Sequence, residues 1–110
     1  MNIERVIKKF SDNNPGVDTS VLKKAFIFAD EAHAGQLRKN GEPYIQHPLH
    51  TAYMLAEIRA DLATVAAGIL HDVPEDTDRT IEEITKEFGS EIATLVKGVT
   101  KLGKIKYRGV

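Results

Sequence analysis

The chain has no cysteine, no tryptophan and only four prolines in 110 residues. Without thiols there is neither a disulfide nor a thiolate metal site, so any bound metal must draw on nitrogen and oxygen donors. No apolar run approaches the roughly eighteen residues needed to span a membrane. The start, Met1 to Phe10, lacks the apolar stretch of a signal peptide, which leads to the expectation of a cytoplasmic protein with no membrane partner. A charge excess is missing too. Fifteen basic residues face sixteen acidic ones for a net charge of −1, so no global field draws the chain to nucleic acid or anionic lipid. Any anion binding must be local.

Also absent are internal repeats, heptads, low-complexity tracts and any period-two alternation long enough for a sheet. What remains, 42% hydrophobic and 28% charged residues, describes one globular domain. A chain of this size buries about 65% of its unfolded surface, so a bound metal or ligand adds usefully to its stability.

The pattern is all-α, with about six helices. Residues 2–12 form a first, broken by Ser11 to Gly16 with Pro15. A second starts near Asp18 to Ser20, carries Leu22, Ala25, Phe26, Ala29, Ala32 and His33 on one apolar stripe, and closes at Gly35. From Gln36 to His47 nothing is periodic, and Asn40-Gly41 with Pro43 mark a shaped loop of the kind that carries function. Pro48 opens a third helix, whose Ala52, Leu55, Ala56 and Ile58 are spaced for packing and which fades near Arg59. Asp61 caps a fourth, Leu62 to Leu70, apolar on all sides and therefore central. Thr80 with Glu83 makes a capping box for a fifth helix ended by Gly89. Ser90 caps a sixth running to about Leu102, and 103–110 read as a flexible tail.

Directly after the apolar fourth helix comes Leu70-His-Asp-Val-Pro-Glu-Asp-Thr77, with His71, Asp72, Glu75 and Asp76 within six residues. The residue before Pro74 is biased out of the α region, which lets His71 and Asp72 emerge at the helix end. An imidazole beside a carboxylate suits manganese, zinc or iron, and a second carboxylate pair can hold or deprotonate a water at the metal. Taken alone a His-Asp pair is more often a hydrogen-bonded helix end, and the whole cluster also fits a solvated acidic turn. Four ionisable groups after a buried helix are nevertheless hard to explain by stability. His47, at a loop-to-helix junction, is the natural third ligand. His50 is a weaker one, and His33 reads as a satisfied core residue. Arg38 and Lys39 are the adjacent basic pair of the shaped loop, where charge and guanidinium stacking can hold a nucleotide. The basic stretch from Lys97 to Arg108 is explained by snorkelling and a free tail.

Three blocks, Arg38-Lys-Asn-Gly-Glu-Pro-Tyr-Ile-Gln-His-Pro48, His71-Asp-Val-Pro-Glu-Asp-Thr77 and Gly98-Val-Thr-Lys-Leu102, resemble the HD-type (p)ppGpp hydrolase domain of the RelA/SpoT homologue family, over about residues 22–102. The resemblance implies an all-helical HD-type bundle that removes the 3′-pyrophosphate from guanosine tetra- or pentaphosphate with a manganese ion, as in stringent-response control. By position, His47, His71 and Asp72 match the family's metal ligands, Glu75 and Asp76 the carboxylates that activate water, and Arg38 and Lys39 its nucleotide-contacting loop. Members that have lost hydrolysis lack the intact His-Asp and Glu-Asp pairs, which this chain retains. Asn40 stands where the family often has serine, and Pro74 where it often has a plain apolar residue.

The family's fourth protein ligand is an aspartate on a later helix, beyond Val110, so residues 1–110 read as the N-terminal part of the domain, apparently truncated. A missing helical layer leaves apolar surface that favours self-association. Two other functions fit the same residues. One is a catalytically silent module that binds nucleotide or a partner protein, and the other a phosphohydrolase for a different nucleotide.

Overall fold

The fold is built around a helix with no polar face. Asp61 accepts the backbone N–H of Thr64 on its side chain at 2.9 Å and starts α4, Leu62–Leu70. Val65 to Leu70 are all buried there. A computed structural model describes residues 1–108, with side-chain surroundings given through Val99. Among these residues the chain is all-helical: α1 Ile3–Asn13, α2 Ser20–Ala32, α3 Gln46–Glu57, α4, α5 Val73–Asp76, α6 Ile81–Phe88 and α7 Ser90–Arg108. α4 packs against α2, α3 and α7, while α1 lies across α3 and α2 and α6 on α7.

Most of the expected apolar stripes face this core. Leu22, Ala25, Ala29 and His33 are buried from α2, and Ala52 and Ala56 from α3. Ile58 departs from the expectation. It follows the last turn of α3 and is 74% exposed, sharing a shallow groove with Thr51, Met54, Leu55 and Glu57. The chain turns there because Arg59 adopts φ +65°, so that the Ala60 N–H reaches the Leu55 carbonyl and the Arg59 N–H that of Ala56. This is the left-handed helix ending usually given to glycine.

Helix ends differ from expectation in several places: α2 stops at Ala32, three residues before Gly35, and the others have physical reasons. α3 begins at Gln46, two residues before the expected start, so Pro48 lies in its first turn, where no N–H is required. For the same reason Val73 is helical although it precedes a proline. Pro74 falls in the first turn of the one-turn α5, and His71 and Asp72 themselves have α-region backbone angles. The capping box of α6 is half made: Thr80 Oγ1 accepts the Glu83 N–H at 3.1 Å, but the Glu83 carboxylate pairs with Arg79 at 2.9 Å. The last helix runs to Arg108, past its expected end near Leu102, since a glycine inside a helix costs only about 1 kcal/mol. Residues 109–110 lie outside the described residues.

The Asp61 cap yields a pH-dependent prediction. Hydrogen bonds from Thr64 hold its carboxyl below the usual range, so its stabilisation is complete above the unfolded value and lost as pH falls through the folded one. Asp61→Ala is expected to lower the unfolding free energy by about 1 kcal/mol at neutral pH, in denaturant titrations. The difference between the two proteins should shrink as the pH drops below 3.8.

Candidate metal centre

His71 follows the last residue of α4, where the final carbonyls have no helical partner. Its Nδ1 lies 2.6 Å from the carbonyl oxygen of Gly68. A carbonyl only accepts, so Nδ1 carries a proton, and Nε2 is the nitrogen that faces Asp72. Asp72 comes next in the two-residue turn before α5. His47 enters from the first turn of α3, inside the helix rather than at the loop junction expected from sequence.

Asp72 stands between the two rings. His47 Nε2 lies 3.1 Å from Oδ2 and His71 Nε2 3.2 Å from Oδ1. The rings approach at 5.5 Å between centroids. One atom from each of the three residues lies within 4.8 Å of the others, and no other such group occurs among the described residues. Bonds of about 2.1 Å to one ion at right angles put donors roughly 3 Å apart, so the set fits a divalent cation. Exposure falls from 41% at His47 through 20% at Asp72 to 12% at His71, which gives the cluster an open side and a closed one. Burial alone would raise the Asp72 carboxyl. The hydrogen bond to His47, the charges of His71 and His47 and the Tyr44 hydroxyl outweigh it and hold Asp72 below the usual carboxylate range.

Tyr44 joins this cluster to the other carboxylates. Its hydroxyl lies 3.1 Å from Asp72 Oδ2 and 2.9 Å from Asp76 Oδ2. Burial, then the Asp72 charge and the Asp76 hydrogen bond, push its acidity far into the basic range, so it remains a donor. The ring rests on His33 at 4.7 Å and against His47 at 5.9 Å. Asp76 is thereby tied to the cluster through one hydroxyl. Glu75 is exposed on the same turn and lines a polar depression with Gln36, Asp76, Thr77 and Asp78.

The shaped loop closes on itself. The Arg38 N–H donates to the Glu42 carbonyl at 2.8 Å and the Gly41 N–H to that of Arg38 at 2.9 Å, with Gly41 at φ +87°. Arg38 and Lys39 are exposed and share a groove with Leu37, Asn40 and Tyr44. That groove and the carboxylates meet at Tyr44. His50 is exposed on α3 and outside the cluster. His33 is core as expected, but among the described residues its Nε2 has no hydrogen-bond partner, while Nδ1 meets Gln36.

Sequence reasoning did not single out Tyr44. An aromatic residue with a polar tip in an aperiodic loop, three residues before a candidate ligand, was the available signal.

Residues 25–108 match the family described as HD domain. The chain belongs to the HD domain family. A GTP pyrophosphokinase of Myxococcus xanthus is 50% identical over 101 residues, covering 92% of this chain and 13% of the relative. The guanosine-3′,5′-bis(diphosphate) 3′-pyrophosphohydrolase of Aquifex aeolicus is 47% identical over 108 residues, covering 98% of this chain and 15% of the relative. The bifunctional (p)ppGpp synthase/hydrolase SpoT of Escherichia coli is 48% identical over 87 residues, covering 79% and 12%. A solved structure described as a metazoan ortholog of SpoT that hydrolyzes ppGpp superposes with a TM-score of 0.70 at 30% identity, over 76% of this chain and 49% of that one. The resemblance read from the three sequence blocks therefore holds, and the chain spans only 12 to 15% of the length of these curated relatives. No helix among the described residues is long and apolar enough to cross a membrane.

A ligand's hydrogen-bonding partners typically contribute 10- to 100-fold to metal affinity. Tyr44→Phe is accordingly expected to weaken divalent-cation binding by about 10-fold or more, with the thermal midpoint nearly unchanged. Unaltered affinity in a calorimetric titration would detach Tyr44 from the site.

Proposed function

We propose that this HD domain hydrolyses the 3′-pyrophosphate of guanosine tetra- or pentaphosphate, releasing GDP or GTP and pyrophosphate, as a cytoplasmic module of stringent-response control. The observation that carries the reading is the His47, His71 and Asp72 group, with the His71 tautomer already set by Gly68. The relatives named for guanosine-3′,5′-bis(diphosphate) hydrolysis add the substrate class.

In this reading His47, His71 and Asp72 hold a manganese ion. The ion supplies Lewis acidity toward a phosphoryl oxygen and lowers the pKa of a water. Glu75 and Asp76 orient the attacking water and take its proton, and the Tyr44 hydroxyl keeps Asp76 turned toward the ligands. Arg38 and Lys39 hold the guanosine nucleotide through charge and guanidinium stacking, above the groove that ends at Tyr44. The exposed Met54 and Ile58 support self-association as a way of covering apolar surface.

A second reading, a silent module that binds nucleotide or protein, draws on the number of ligands: three residues, not four, form the group among the described residues. The readings separate on manganese. Hydrolysis predicts binding in the micromolar range or tighter, abolished by His71→Ala, whereas a silent module binds none. Incubation with ppGpp and manganese should release pyrophosphate, and Asp76→Asn should slow release by about 100-fold, within the range for lost general-base catalysis. Equal turnover by both proteins would remove Asp76 from the chemistry. A panel of other nucleotides tests the substrate itself.

A further inference from the structure

His33 caps the C-terminal end of α2 inside the core, with 3% of its surface exposed. Its Nδ1 lies 3.1 Å from Gln36 Oε1. The Gln36 amide has no choice of orientation, because its Nε2 donates to the main-chain carbonyl of Asp76 at 2.8 Å. Oε1 must then be the atom facing His33, and Nδ1 must be the protonated nitrogen. The other nitrogen, Nε2, is buried without a hydrogen-bonding partner among the described residues. An unpaired buried acceptor is unfavourable, and an apolar ring would fill the same space without that cost. Packing alone does not account for a histidine here.

Asp76 is held at two points. Gln36 donates to its carbonyl and Tyr44 to its carboxylate. Both holders rest on His33, one through the Nδ1 hydrogen bond and the other through the tilted ring contact. The helix that carries Asp76 is a single turn of four residues, anchored in the core only by Val73. It cannot aim a side chain by itself. We infer that His33 is a positioning residue for Asp76, acting through Gln36 on the backbone and through Tyr44 on the carboxylate. The inference rests on Asp76 as the water-activating group of the proposed hydrolysis.

Two substitutions separate the donor from the packing. His33→Phe keeps an aromatic ring against Tyr44 and removes the donor, and His33→Asn keeps an amide donor close to the place of Nδ1. Two readouts are taken on the whole chain: exchange of the Gln36 side-chain amide protons by NMR, and kcat and KM for ppGpp with manganese. In the Phe variant, Gln36 should exchange like an exposed glutamine and kcat should fall about tenfold with KM nearly unchanged, as expected for a misplaced catalytic group. The Asn variant should regain both the slow exchange and most of kcat. Retention of slow Gln36 exchange and of kcat in the Phe variant overturns the inference, and so does an Asn variant no better than the Phe variant. If the unsubstituted chain turns over no ppGpp, the functional reading fails separately, and Gln36 exchange across the three proteins alone decides whether His33 positions the turn.

Discussion

The carbonyl of Gly68 is where backbone satisfaction, helix packing and ligand chemistry meet. It belongs to the last turn of a buried helix, so it needs a partner from outside the helix, and the His71 ring provides one at 2.6 Å. That bond fixes which imidazole nitrogen faces Asp72. The residue is a glycine where α3 and α4 run close together: a Cβ there would stand 2.6 Å from Leu55 Cδ1 and 3.5 Å from the Ala52 Cα. A Cβ there would have to turn the end of the Leu55 side chain aside, while the α3 backbone at Ala52 stays at ordinary contact distance.

Asp72 converts that packing into an electrostatic arrangement. It lies between His47 and His71 and accepts from Tyr44, so one carboxylate joins the first turn of α3, the end of α4 and the loop that follows α2. Its carboxyl is held below the usual range despite partial burial, so it stays charged at neutral pH. A cation entering from the open side would find its donors already gathered around this carboxylate. Such preorganisation comes from rigid helix ends rather than from loops.

The helices and the residues that the fold gathers around Asp72 were legible in the sequence because each leaves a one-dimensional trace. An apolar stretch such as Leu62 to Leu70 can only be central, and His-Asp beside Glu-Asp is too polar for the place it occupies. Tyr44, Gln36 and His33 were not legible as a unit. They lie in or beside a loop without periodicity, and their meaning comes from contacts with Asp72 and Asp76 some 28 to 40 residues away. The prolines misled for a related reason. Pro48 reads as the first residue of a helix and Pro74 as keeping Val73 out of the α region, but the first turn of a helix admits proline at several positions, so α3 begins two residues earlier and Val73 opens α5. Ile58 carried the right period and the wrong face, since the stripe ends where Arg59 turns the chain.

The central claim is that His47, His71 and Asp72 form a preorganised divalent-cation site. Crystals grown with manganese and measured for anomalous scattering test it most directly. The account predicts one peak bounded by Nε2 of both histidines and the Asp72 carboxylate, with His71 Nδ1 still on the Gly68 carbonyl. A peak placed instead among Glu75, Asp76 and Asp78, or none at saturating manganese, would contradict it.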